Sequence, residues 1–473
     1  RGRDFTRAVQ YLIHAGDHAA KLYGYAEAEK HYSKALSLVD KLPAESQVQT
    51  LATLYQKRGT VNHALSNFTQ AAEDLTNMLD QAREMESLEL QSAALNALTM
   101  TLFFSHRLIE MNARAKEALE VADKAGSEML RVETTLLIGL KHLCYGELKE
   151  AKVLLDDVVT TSRRLDHKPA LMGGVTWRSC LHFFQSEYEL AIEKATEGRR
   201  LASELRDGFL MLTALFFIGL SQGNLGRMSD SLATLNEAMA IAKRNGDLFW
   251  YPRMPNCVGW IYRELHDFDA AHRHNEDGID IARRHHVLEA EANSLINRGI
   301  DCTQAGDYAC TDAAFHEVHD IFARDAWFRW RYNIRLAAAT AEHWLSQGEL
   351  DKAREFAALL METATEHEVH KYKAVAHRLM GAVSLASGDA KGAGEHFNAA
   401  LEELKDYPAP LVEWRTYAGI ARAKAAAGDA SGAQEASERA KEIVNTIASN
   451  VTDEKLRNTF LTAAEKAVSL TAT

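Results

Sequence analysis

RLMGAVSLASGDAKGAGEHFNAALE, Arg378 to Glu402, places two runs of helical apolar period on either side of a Gly-Asp turn at Gly388. Gly381 stands seven residues before the turn glycine and Ala393 five after it, with Phe397, Ala400, Leu401 and Leu404 continuing the stripe that Ala393 begins. Glycine inside a helix costs about 1 kcal/mol relative to alanine, so its presence beside an alanine at fixed phase predicts that two helices touch there. The stretch is one helical hairpin.

The same landmark recurs outward along the chain. It stands at Ser66, His106, Gly146, Ser186, Gly226, His266 and Gly306 in 40-residue steps, then at Gly348 after 42 residues, then at Gly388 and Gly428, with an earlier turn near Tyr23. Such periodicity is the signature of a repeat array, here of eleven hairpins. Small residues keep the phase seven before the landmark, from Gly16 and Gly59 through Gly299 to Ala421, and again five after it, with Met111 as the exception. Glycine at 306, 348, 388 and 428 supplies positive φ, and the following Asp or Glu favours the next helix N-terminus. Pro43, Pro169, Pro408 and Pro410 separate hairpins, and Pro252 with Pro255 falls in the opening turns of a first helix.

The hairpin at Arg378 to Glu402 and the first one, HAGDHAAKLYGYAEAEKHYSKAL from His14 to Leu36, resemble tetratricopeptide repeats (TPR), with Gly381, Ala393, Phe397 and Ala400 in register. The resemblance covers nearly the whole chain. Forty residues in place of the usual thirty-four is similar to the long-helix arrays attached to large bacterial signalling ATPases, including cyclase-linked and LuxR-type or MalT-like regulators. It implies an all-α fold, a right-handed superhelical solenoid over residues 1–451, closed by a capping helix and tail at 452–473. Thr452 is the expected N-cap there, and Leu456, Phe460, Ala464 and Val468 form one apolar stripe. The resemblance also implies an N-terminal effector preceding Arg1, which is not an initiator methionine. Within the chain there is no GxxxxGK phosphate loop and no GxGxxG after a strand.

Composition narrows the class of job. Six prolines in 473 residues, 47% apolar and 25% charged side chains describe a helical, folded chain, and the formal charge of −12 opposes nonspecific binding to nucleic acid. The apolar stretch from Phe209 to Leu220 is too short to span a membrane, so a membrane partner is not expected. Five cysteines, odd in number and without a CxxC pair, point away from disulfides and toward a reducing, cytoplasmic setting.

Candidate chemistry is sparse. HEVH occurs at His316 to His319 and at His367 to His370, but i, i+3 imidazoles without a third ligand differ from the HExxH of zinc proteases. Surface solvation or helix-end packing explains them. Cys310 near His316 and Cys180 near His182 lack a helical pairing distance for a nucleophile and its base, and core packing is the simpler reading. No enzyme, metal or cofactor is expected.

The remaining signal is a surface. Offsets of 13, 10, 6 and 3 residues before each landmark share one face of the first helix, which the TPR resemblance places on the concave side. In the seventh repeat that face is Arg253, Asn256, Trp260 and Arg263, and neighbouring repeats add Phe183, Phe216 and Asn293. Further on it presents Arg335, Arg378, Arg415 and Arg422 against a single acid, Glu342. An aromatic anchor flanked by arginine is favoured at binding hot spots, and the arginine strip suits an acidic peptide or protein. Packing of Trp260 and pairing of the arginines with nearby acids would explain the same residues without a ligand. RDAWFRWRYNIR, Arg324 to Arg335, interleaves aromatics with arginine as some nucleic-acid sites do, although ordinary helix packing does so too. The expected function is a non-enzymatic interaction and regulatory module binding a protein or peptide. The alternative is a receptor holding a small ligand or short signalling peptide in the middle repeats.

Overall fold

All eleven landmark turns have left-handed backbone, six at glycine and five at Tyr23, Ser66, His106, Ser186 and His266, with φ between 60° and 86°. A second series alternates with it at Glu86, Gly126, Asp166, Arg206, Gly246, His286, Phe328 and Glu368, where one hairpin passes to the next. An L-residue in this region carries a steric cost, so the turn is imposed by the helices it joins rather than chosen by local preference.

The computed structural model describes residues 2–324 and 327–469. Among them the chain is all α, with no strand. The helices run α1 Gly2–Lys21, α2 Tyr25–Leu36, α3 Ala44–Ala64, α4 Phe68–Glu84, α5 Leu88–Phe104, α6 Leu108–Lys124, α7 Glu128–Tyr145 and α8 Leu148–Arg164. They continue as α9 Lys168–Phe184, α10 Tyr188–Leu205, α11 Gly208–Asn224, α12 Met228–Asn245, α13 Pro255–Glu264, α14 Phe268–His285, α15 Leu288–Ala305 and α16 Tyr308–Arg324. The last are α17 Arg329–Ser346, α18 Leu350–Glu366, α19 His370–Ala386, α20 Ala390–Leu404, α21 Pro410–Ala426, α22 Ala430–Ser449 and α23 Glu454–Val468. No helix among the described residues is long and apolar enough to cross a membrane.

Each hairpin closes on the small residue that its sequence places seven before the turn. A Cβ built on Gly381 would lie 2.8 Å from the Phe397 ring, and one on Gly299 would run into the ring of Phe315. In both cases the partner lies sixteen residues on, across the turn. Gly299→Leu and Ala393→Leu should each overpack such a crossing and cost about 1–3 kcal/mol, whereas the exposed Glu402→Ala should be nearly silent. Chemical denaturation of the three variants checks this. Equal losses at all three sites would show that the crossings are elsewhere.

The helices pack as two compact units: Arg1–Leu143, Lys149–Val175 and Ile241–Phe249 form one, and Cys144–Leu148, Thr176–Ala240 and Trp250–Thr473 the other. In the first, Val9, Tyr32, Leu54 and Val61 share a core, and Arg58 forks onto the buried Asp74 at 2.6 and 2.9 Å. In the second, Phe397, Ala421 and Ala436 centre another cluster. There α23 buries Leu456, Phe460, Ala464 and Val468, the stripe expected of a terminal helix. Its N-cap is Asp453, whose carboxylate accepts from the Leu456 N–H at 2.8 Å, and not Thr452. Thr452 instead offers its N–H to Ser229 Oγ. Residues 470–473 of the expected tail lie outside the described residues.

The cysteines also differ from the sequence expectation. Cys302 and Cys310 are joined by a disulfide, with Cα atoms 5.9 Å apart. The odd count and missing CxxC hid it, but each cysteine stands four residues from the turn at Gly306, on facing helices. Cys310 is therefore no candidate nucleophile. Cys144, Cys180 and Cys257 are buried outside any disulfide, and burial pushes the Cys180 thiol up.

Candidate ligand-binding site

Within the second unit the early first helices meet the late ones. Lys371 on α19 offers its backbone N–H to Ser186 Oγ at 2.9 Å and its ammonium to Asn224 Oδ1 on α11 at 2.8 Å. Arg415 on α21 reaches Glu264 at the end of α13, also at 2.8 Å. His367 Nδ1 is 3.0 Å from the Gly146 carbonyl oxygen, with its ring against Trp330. These partners are 147 to 221 residues apart in sequence.

The face that would otherwise be an open groove becomes a cavity of about 250 Å³ between the end of α9 and helices α11, α13, α15, α17, α19 and α21. Of the residues picked out by helical phase, Asn256, Trp260, Arg263, Asn293, Arg335, Arg378 and Arg415 all line it, as does Phe183. Arg253 does not. It is buried in an ion pair with Glu289, Nη2 to Oε2 2.8 Å, and lies against Trp327. Its position at the end of the 3₁₀ turn Tyr251–Arg253, forced by Pro252 and Pro255, takes it off the helical phase of α13. Arg422 is exposed and does not line the cavity either.

An amide ladder fixes the wall. Asn293 donates to Asn256 Oδ1 at 2.6 Å, and Asn297 donates to the Asn256 carbonyl oxygen at 2.8 Å. Arg263 and Arg335 both donate to Asn297 Oδ1, at 3.2 and 2.7 Å, and Arg335 also to Asn293 Oδ1. This ties α13, α15 and α17 through side chains that are themselves mostly buried. Trp260 remains half-buried with its ring at the cavity, Nε1 donating to Glu264 at 3.1 Å.

Six cations and two carboxylates line the space. Glu264 pairs with Arg415 and Glu342 with Arg378 at 2.5 Å, while Arg263 has Asp301 at 3.6 Å. Burial would raise the Glu264 carboxyl, but Arg415, Arg263 and Lys371 outweigh it and hold it at about 2. Burial dominates for Asp301 and pushes its carboxyl up despite Arg263. Cys257 faces the cavity, and burial pushes its thiol up to about 12, so it is protonated at neutral pH.

Sequence reading passed over Arg331, Lys371, Tyr372 and Asn297. Arg331 and Lys371 each stand 17 residues before a landmark, one further turn along the face already read, and extending the stripe by four residues would have found both. In the aromatic segment before Arg335, Trp327, Phe328 and Tyr332 are buried and engaged with protein away from the cavity, while Trp330, also buried, lines it. Asp325 and Ala326 of that segment lie outside the described residues. Of the HEVH histidines, His316 is exposed, and His370 stacks on Tyr407 with a ring separation of 3.6 Å. Among the described residues no cluster of three or more His, Cys, Asp or Glu side chains could hold a metal ion.

A Rap protein complexed with competence and sporulation factor superposes with a TM-score of 0.60, covering 76% of this chain and 99% of that one at 16% identity. The fold is that of a tetratricopeptide-repeat array. The Rap conjugation gene regulator of the plasmid pLS20, in complex with the Phr* peptide, gives a TM-score of 0.51 at 16% identity, covering 76% of this chain and 97% of that one. At such identity the likeness is one of fold. No protein-family model matches the chain, and no curated protein matches it.

Proposed function

We propose that this chain is a non-enzymatic recognition and regulatory module whose second unit holds a short peptide or other small ligand in the cavity. The observation that carries this reading is the contact between early and late helices, which brings the phased residues other than Arg253 and Arg422 around one space in place of an open groove. Ligand pockets are concave, carry apolar and aromatic walls, and place a few polar groups to set orientation. Trp260, Trp330 and Phe184 supply the walls, and the asparagine ladder supplies the polar groups. The bound peptide of the pLS20 regulator supports a peptide as one such ligand. A protein partner would engage the module through a segment that enters this space, and the arginines lining it favour an acidic one. An effector preceding Arg1, coupled to the array as in the signalling ATPases it resembles, would read the bound state.

Short peptides screened by fluorescence anisotropy supply the test. A peptide that binds should lose about 2 kcal/mol, near 30-fold in Kd, with Trp260→Ala. The second-helix changes Arg199→Ala, at a half-buried position, and Arg200→Ala, at an exposed one, lie outside the cavity and should leave it unaffected. The opposite pattern would move the site to the outer helices.

A further inference from the structure

The charges in the cavity do not balance, and the imbalance has a chemical meaning. After the ion pairs to Glu264, Glu342 and Asp301, three cations remain with no carboxylate in hydrogen-bond or ion-pair contact, Arg331, Arg335 and Lys371, although Glu289 acts on Arg331 and Glu264 on Lys371 at longer range. Among the described residues the Arg331 side chain makes no hydrogen bond and no ion pair; its guanidinium lies 4.7 Å from the Tyr332 ring centre and 5.4 Å from that of Phe184. Arg335 donates only to the amide oxygens of Asn293 and Asn297. Lys371 donates its ammonium to Asn224 Oδ1 and lies near the rings of Trp260 and Tyr372.

Partly enclosed cations are normally paired, because desolvation penalises the charged form unless a carboxylate or a full set of acceptors offsets it. Burial, together with the like charges of Arg263 and Arg331, pulls the Arg335 guanidinium below its usual value. Glu289 and Glu264 offset part of the charge on Arg331 and Lys371, but six cations against two lining carboxylates leave the empty cavity with net positive charge and mutual repulsion, in a chain of net charge −12. A neutral occupant would leave that repulsion in place and the N–H groups of Arg331 unfilled. An anionic one would relieve it, since a planar guanidinium can give two parallel N–H bonds to a carboxylate or phosphate. The aromatic lining calls for a second feature beside the charge. Trp260, Tyr372 and Phe184 offer ring faces to a flat or apolar group, and the volume limits the enclosed part of the ligand to a small molecule or the end of a peptide.

We propose that the cavity is an anion-binding site for a ligand carrying two or more negatively charged oxygens beside a flat apolar group, with Arg331, Arg335 and Lys371 meeting the charge. This rests on the reading of the cavity as a ligand site and names the chemistry of what enters it. Phosphate and carboxylate share that chemistry, and two pairs of probes separate them. Adenosine 5′-monophosphate and N-acetyl-Glu-Phe are the dianions; adenosine and N-acetyl-Gln-Phe-amide are their neutral counterparts.

Calorimetric titration at low salt should show at least one dianion binding wild type roughly 10- to 100-fold more tightly than its neutral counterpart, as charge-assisted hydrogen bonds imply. Which dianion binds assigns phosphate or carboxylate. Arg331→Met, close in length and uncharged, should weaken that dianion by about tenfold or more while the ligand-free variant melts no lower than wild type. Lys371→Met provides the same comparison should Arg331→Met fail to fold. No dianion binding at millimolar concentration, combined with a lower melting temperature in the ligand-free variants, would make these cations structural and overturn the proposal. Neutral and anionic probes binding equally, with both lost on Trp260→Ala, would also overturn it while leaving the small-ligand reading intact. Dianion binding insensitive to Trp260, Arg331 and Lys371 alike would remove the cavity as the site and both readings with it.

Discussion

Glu289→Ala should destabilise the second unit by about 3–5 kcal/mol, the cost expected when one partner of a buried ion pair is removed and the other is left without compensation. Arg253 and Glu289 are only 6% and 4% exposed, and two contacts of 2.9 and 2.8 Å join them as a fork. Glu289 also accepts from the Tyr332 hydroxyl at 2.9 Å, so its removal orphans a second buried donor. The pair links the turn before α13 to α15, and Tyr332 adds α17. Urea unfolding with a probe confined to this unit reads the effect. The double change Arg253→Met with Glu289→Leu should recover much of the loss, because an apolar pair of similar volume avoids the unmatched charge. A loss below about 1 kcal/mol in the single variant would mean that water reaches Arg253 readily.

Glu264→Gln should show the largest dependence on acidity. The carboxyl is held at about 2, against about 4.3 in an unfolded chain, so its ionised form binds the folded state preferentially. Because the folded value is depressed, the stabilisation is complete above the unfolded value and is lost as pH falls through the folded one. The difference corresponds to on the order of 3 kcal/mol at neutral pH, falling to roughly half near pH 3. Denaturation midpoints of wild type and Glu264→Gln should therefore lie far apart at pH 6 and converge toward pH 3. Parallel behaviour across that range would show that Arg415, Arg263 and Lys371 do not act on Glu264 as their geometry indicates.

The repeat was legible because a hairpin is written locally. Gly299 and Phe315, or Gly381 and Phe397, lie sixteen residues apart, and the turn between them has to adopt left-handed backbone whatever residue occupies it. Most of the cavity wall could be read for the same reason, since Asn256, Trp260 and Arg263 share a helical phase that requires no tertiary information. Arg253 lies elsewhere because two prolines interrupt that phase just before α13. The enclosure of the cavity had no local signal. Nothing around Lys371 announces Ser186 or Asn224, and nothing around Arg415 announces Glu264, because such pairs depend on accumulated rotation over several repeats. The lone acid read on the arginine face, Glu342, proved to be the partner of Arg378; the acid for Arg415 came from α13, 151 residues earlier.

The meeting of early and late helices in the second unit also sets when the cavity can exist. In an open helical array each hairpin docks on its predecessor as it leaves the ribosome, and contacts stay short in sequence. Here the wall formed by α13 waits for Arg415, which at 5–20 residues per second is synthesised roughly 8–30 s after Glu264. During that interval Glu264 and Trp260 face solvent, and the asparagine ladder can order while its opposite wall is still being made. A nascent chain stopped before α19 would thus present an open basic and aromatic groove, and one carried past α21 a partly enclosed cavity. Ligand affinity measured on ribosome-bound chains of increasing length should appear in a single late step and not grow repeat by repeat.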